Sequence, residues 1–282
     1  GTTTFVASDG TAFADSSASY LTWTVPDGVT EIQAVAWGTS GGVATQDGVT
    51  SPNTGTSGRG VYAVASFGVA PGNVLVISFS SSAAANLGDG GGGGGQAVGV
   101  GDLSAGTSGD WLLVAGGGGG GGEAGYNVNS GGFYYSDATY RGGDGGDAGT
   151  GGTAGSGTAG TGTRGTTAGA GGGTLSAGGA ESAGATDVAG DGGANQGPTT
   201  SSDTTGLGEG GTRANTSSSG GAGGGGYFGG GGAGNGVNFT ACGGGGGGSS
   251  YVNTAKRAVG TQSRIETFNR AIGSFAKIDL YW

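Results

Sequence analysis

Histidine and methionine are absent from the chain, and cysteine occurs once, as Cys242. Without histidine, a Ser-His-Asp triad, a Cys-His nucleophile pair and a histidine-ligated metal are all excluded. A lone cysteine closes no disulfide within the chain. The two lysines, Lys256 and Lys277, lie in no nucleophile motif, and no glycine run ends in Gly-Lys-Ser/Thr to form a phosphate-binding loop. The inventory leads to the expectation of a protein without enzymatic activity. No stretch of about 18 apolar residues is present, so no membrane insertion is expected. No signal-peptide pattern opens the chain. Gly1 fits either trimming of an initiator methionine or cleavage of a signal peptide.

Charge is also scarce. Only 10% of the residues are charged, and the net charge is −10. Residues 83–250 hold 12 of the 19 acidic residues and, against them, only Arg141, Arg164 and Arg213. Nucleic-acid binding needs clustered Lys and Arg, so no nucleic-acid partner is expected.

Proline is the last scarcity that decides something. Four prolines among 282 residues, and glycine runs with no Gly-X-Y period, exclude collagen despite 80 glycines. The glycines are unevenly spread: residues 83–250 hold 66 of them. The flanks are instead rich in Val, Ile, Phe, Tyr and Trp, which disordered chains lack.

The flanks read as strands. Residues 3–7 and 19–25 are β-branched and aromatic, and Ile32, Ala34 and Ala36 alternate with Gln33, Val35 and Trp37. Residues 60–80 read as two strands around Pro71-Gly72-Asn73, which predicts a hairpin. Residues 96–100 and 110–115 add two more. At the far end Ala276, Ile278, Leu280 and Trp282 alternate with Phe275, Lys277, Asp279 and Tyr281. No window shows helical periodicity. The predicted class is all-β. Residues 1–115 and 249–282 form one β-sandwich, and 116–248 (starting near 88 in a wider reading) are a glycine-rich insertion within it. Residues 39–60 read as a polar loop.

Glycine loses the most backbone entropy on folding and buries no side chain in return. Only backbone hydrogen bonds and close backbone packing can order such a segment. Polyproline II geometry has three residues per turn and no internal hydrogen bonds. Without Cβ atoms, such helices can pack side by side and bond to one another. The expected insertion is a bundle of this polyglycine II kind. The opposing reading is a flexible linker, which fits poorly between strands of one domain.

Four segments in this order, "WTVPDGVTEIQAVAWG" (23–38), "VAPGNVLVIS" (69–78), "WLLVAGGGGGGG" (111–122) and "CGGGGGGSSYV" (242–252), resemble a known family. It is the glycine-rich domain of the anaplastic lymphoma kinase and leukocyte tyrosine kinase receptors. Relatives of that domain occur in bacterial surface proteins and phage minor tail proteins. The resemblance spans nearly the whole chain. It implies a tumour-necrosis-factor-like jelly roll with an inserted bundle of polyglycine helices. The chain has neither a kinase nor a growth-factor-like module, so receptor signalling is not carried over. A looser likeness is to the glycine-helix tip adhesins of T-even-like phages, whose bundles present receptor-gripping loops. The matching stretch here, 125–141, gathers Tyr126, Phe133, Tyr134, Tyr135, Tyr140 and Arg141. These residues either contact a receptor or cover the bundle by burial. Burial is the reading for Tyr227 and Phe228.

Two further patterns carry ligand expectations. "GGDGGDAGT" (142–150) matches most of a calcium-binding nonapeptide, which makes Asp144 and Asp147 candidate ligands for a structural calcium ion. Thr150/Thr153, Thr158/Thr161 and Thr163/Thr166 recur at spacing three, as on the ice-binding face of springtail antifreeze proteins. The expected function is a structural or adhesive component of a phage virion surface. It would form homo-oligomers, with a trimer by analogy, alongside other virion proteins and a host-surface receptor. The alternatives are a bacterial or archaeal extracellular adhesin or filament subunit, and an ice-binding protein.

Overall fold

The computed structural model describes residues 1–7, 20–45, 54–80, 94–104, 110–124, 127–128, 134–135, 144–150, 155, 169–182, 206–212, 220–234, 241–268 and 275–282. Among these residues the protein is all-β, with no helix. The strands are β1 (Thr2–Val6), β2 (Tyr20–Thr24), β3 (Glu31–Trp37), β4 (Gly60–Gly68), β5 (Val74–Phe79), β6 (Val98–Asp102), β7 (Asp110–Ala115), β8 (Asn127–Val128), β9 (Tyr134–Tyr135), β10 (Tyr251–Val252), β11 (Arg264–Phe268) and β12 (Lys277–Tyr281).

Two antiparallel five-stranded sheets pack face to face. The first has the order β1-β12-β3-β4-β11 and the second β10-β7-β6-β5-β2. Alternation decides which side chains meet between them. Ile32, Ala34 and Ala36 of β3 and Ile278 and Leu280 of β12 point inward, to Leu75 and Ile77 of β5 and to Leu112 and Leu113 of β7, two neighbours that share the core because the β6–β7 register shifts there. Phe67 is the largest fully buried side chain. Strand β12 comes from the far end of the chain yet lies between β1 and β3, with Ile278 opposite Ala36.

The predicted hairpin at 60–80 is not formed. Strand β4 belongs to the first sheet and β5 to the second, so Pro71-Gly72-Asn73 is a crossover. The reason lies in its partner turn. Strand β2 also crosses between the sheets, through Pro26-Asp27-Gly28, and the two corners bond to each other. Val25 N–H donates to Asn73 O, Gly72 N–H to Val25 O and Val69 N–H to Thr30 O. Gly28 and Gly72 both adopt φ of 80°, the left-handed region these tight corners need.

The second sheet is covered on its outer face as well. Trp111 and Val114 of β7 pack there with Ala97, Leu207, Tyr227 and Tyr251. Residues of the glycine-rich segment thus form a second small core against the sandwich. The ring of Trp111 lies against Gly99, where a Cβ would stand 2.6 Å from a ring carbon.

Candidate functional site

Strand β7 runs without a break into Gly116–Gly122, and that run is wholly buried. Its hydrogen bonds repeat every third residue. Gly117 and Gly120 donate to Gly225 and Ala222. Gly118 and Gly121 donate to Thr39 and Gly42, and Gly119 donates to Gly146. The carbonyls follow the same step. Gly116, Gly119 and Gly122 accept from Val61, Gly58 and Gly55, Gly117 and Gly120 accept from Gly248 and Gly245, and Gly118 accepts from Gly95. One extended run therefore bonds to six neighbouring segments, three through its donors and three through its acceptors.

Gly243–Gly248 is built alike. Cys242, Gly245 and Gly248 donate to Glu123, Gly120 and Gly117, so this run lies antiparallel beside the first. Gly243 and Gly246 accept from Gly221 and Gly224, Gly244 and Gly247 from Ala170 and Gly173, and Gly245 and Gly248 from Gly146 and Gly149. Runs 220–226 and 229–234 continue the lattice outward, where Gly230 and Ala233 donate to Gly224 and Gly221. A strand ladder repeats every second residue and bonds to two neighbours at most. This lattice repeats every third and bonds on all sides.

Glycine is needed here for space and not for dihedral freedom. The described glycines with positive φ are Gly28, Gly72, Gly206 and Gly260, and none lies in a packed run. In the runs a Cβ would stand closer than 3.0 Å to backbone atoms of the neighbouring run. Gly119 faces the carbonyl of Gly245, Gly246 that of Gly171, and Gly248 that of Gly225. At these glycine positions the lattice leaves no room for a side chain.

At the rim, where no further run follows, side-chain oxygens accept the outward N–H groups. Ser250 Oγ accepts from Gly116, Ser249 Oγ from Phe228, Ser80 Oγ from Ala97, Thr39 Oγ1 from Gln96 and Ser182 Oγ from Gly234. Asp144 and Asp147 belong to this set. Asp144 Oδ1 accepts from Thr56 N–H and from the Thr56 hydroxyl, both at 2.8 Å. Asp147 Oδ1 accepts from Arg59 N–H at 2.7 Å, and its Oδ2 from the Arg59 guanidinium at 2.6 Å. The spacing that suggested a calcium loop is the step of the lattice, with 144 and 147 meeting 56 and 59. Among the described residues no three carboxylates or cysteines gather as a metal site.

Burial opposes charge on Asp147, but the hydrogen bonds and charge of Arg59 outweigh it and hold the carboxyl below the usual range. The folded-state pKa is lowered, so this stabilisation is present above about pH 4 and is lost as pH falls through the folded value. The pair is partly exposed, and Asp147→Ala is expected to cost about 1 kcal/mol, read as a shift in denaturant midpoint at pH 7.

Tyr227 and Phe228 are both half-buried, and Tyr227 packs against the second small core. Tyr227 stacks on Tyr251 with centroids 4.4 Å apart, and Phe228 meets Tyr227 edge-on at 5.4 Å. Burial, reinforced by Tyr227 and then Asp110, raises the Tyr251 hydroxyl above the usual tyrosine range. The stability tied to its protonated form is complete below about pH 10 and is lost as pH rises through the folded value. Tyr251→Phe is expected to make thermal stability less steep above pH 10, measured by melting across pH 8–12.

Of the tyrosine-rich stretch, the described residues are 127–128 and 134–135. Tyr134 and Tyr135 form β9, which pairs with Asn127 and Val128 of β8. Tyr126, Phe133, Tyr140 and Arg141 lie outside the described residues, as do the paired threonines apart from Thr150, which is exposed. The residues that sequence reasoning missed are the runs 39–42 and 54–60, read as a loop. Their signal was present: Gly38/Gly41 and Gly55/Gly58 carry the lattice step of three.

No family model matches the chain, and no curated protein matches it.

Proposed function

We propose that this protein is a non-enzymatic structural or adhesive component of a particle surface, most specifically a phage virion. The two sheets are a jelly roll, and the glycine runs are a polyglycine II bundle. The folded ribbon in which the β2–β5 pair continues into the β3–β4 pair supports the first assignment. The three-residue step, with bonds to all sides, supports the second.

The observation that carries the functional reading is the lattice itself. It is a buried core, built mostly of glycine, that locks runs from distant parts of the sequence together through backbone bonds. Its chemistry suits rigidity and resistance to proteolysis, since a protease must bind an extended, unbonded chain. The loops at its rim would be what it presents outward. Gold-labelled antibody and electron microscopy on the native source test this. Label on virions or their tails supports the reading. Label confined to soluble material, with none on any particle or filament, removes it.

A further inference from the structure

The two sides of the sandwich differ in how their edge strands are protected. On one side lie β11 and the two-residue β10. Strand β11 carries Arg264 and Glu266, paired at 2.8 Å, and such charges discourage edge-to-edge pairing. The other side is formed by β1 (TTTFV) and β2 (YLTWT), closed inside by Trp23 against Trp282 with centroids 5.0 Å apart. Neither edge strand holds a charged side chain, a proline or a bulge, which are guards that such strands commonly carry.

The register of β1 shows which groups are free. Trp282 N–H donates to Gly1 O, and Ala7 N–H donates to Ala276 O. Antiparallel bonding alternates, so Gly1, Thr3, Phe5 and Ala7 face β12. Thr2, Thr4 and Val6 therefore turn their N–H and C=O groups away from the sheet. Their side chains lie on its outer face and are exposed. Among the described residues, three of the five exposed large hydrophobics, Val6, Phe275 and Tyr281, sit on or beside this β1–β12 corner.

We propose that β1 is a homotypic docking edge, pairing antiparallel with β1 of a second copy about a two-fold axis at Thr4. The strand is self-complementary in that arrangement. Thr4 meets Thr4 of the other copy as a hydrogen-bonded pair, and Thr2 meets Val6 on both sides of the axis. All the outward groups at 2, 4 and 6 are then matched. The product is one continuous ten-stranded sheet, closed by a symmetric interface. Charge favours the same place. The chain bears −10, but β1 carries no charged side chain, and on the neighbouring β12 Lys277 pairs with Asp279 at 2.9 Å. Pairing β1 with β1 therefore sets no charged side chains of these two strands against one another. The inference is independent of which particle carries the protein.

The test uses the whole chain. Light scattering after size exclusion at about 100 µM is expected to give twice the chain mass of 26.0 kDa. Thr4→Pro and Thr4→Lys are each expected to give the monomer with unchanged circular dichroism, because the Thr4 N–H faces outward and its loss leaves the β1–β12 ladder intact. Cysteine placement reads the register. Opposed residues of a hydrogen-bonded pair stand about 5.5 Å apart at Cα, within disulfide reach. Thr4→Cys should form a covalent dimer under mild oxidation, and Val6→Cys, which faces Thr2, should not; Cys242 is buried and stays silent. A monomeric or trimeric wild type, a dimer that survives both substitutions, or equal crosslinking at 4 and 6 would each overturn the proposal.

Discussion

Gly119→Ala is expected to lower the thermal midpoint by about 6–12 °C, and Gly68→Ala to leave it within about 2 °C. Both replace a buried-or-strand glycine outside the left-handed region, so dihedral strain is equal and small. They differ in what the new methyl meets. At Gly68, at the end of β4, nothing lies within 4 Å. At Gly119 the methyl enters the carbonyl oxygen of Gly245 and the backbone around it. Relief requires the two central runs to separate. That breaks bonds on both, since Gly120 accepts from Gly245 and Gly117 from Gly248. Overpacking of about 1–3 kcal/mol joins the loss of one or more hydrogen bonds at about 1 kcal/mol each. Calorimetric or circular-dichroism melting of the two variants decides it. Equal midpoints would mean that the runs are not packed.

The second large effect belongs to the other core. Phe67→Ala is expected to cost about 3–5 kcal/mol, the range for deleting a buried aromatic ring. Phe67 is fully buried where β4 meets the second sheet, and the rigid sandwich leaves the cavity only partly collapsed. Val259→Ala, at a fully exposed position, should stay within about 0.5 kcal/mol. Denaturant titration of both separates a specific core effect from a general one. The two cores obey opposite rules. In the sandwich, losing side-chain volume destabilises; in the lattice, adding a single methyl does.

The strands of the sandwich were legible because alternation was clean. Ala276, Ile278 and Leu280 declared an inward face for β12, and Ile32, Ala34 and Ala36 did so for β3. Strand β11 was not legible, because "RIETF" mixes charge into an edge strand whose outer face meets water. The crossover at Pro71-Gly72 read as a hairpin because a tight turn looks alike whether it stays in a sheet or leaves it. Only the partner corner at Pro26–Thr30 distinguishes the two. The long glycine runs announced an unusual core, yet its extent was underestimated. Gly38, Gly41, Gly55 and Gly58 lie among Thr, Ser and Asn, so composition pointed to a loop, while their spacing carried the structure. The same spacing accounts for Asp144 and Asp147, whose partners Thr56 and Arg59 are 88 residues away in sequence and invisible to a local motif.

Amide hydrogen exchange at Gly117–Gly121 and Gly245–Gly248 tests the central claim most directly, followed by mass spectrometry or by NMR on glycine-labelled protein. Backbone hydrogen bonds are what order these runs, and each of Gly117–Gly121 and Gly245–Gly248 donates one to a neighbouring run. The predicted result is protection as strong as that of β3 and β4 in the sandwich core, lost only with global unfolding. Exchange of these glycines at the rate of an unstructured peptide, with the sandwich strands still protected, would contradict the account.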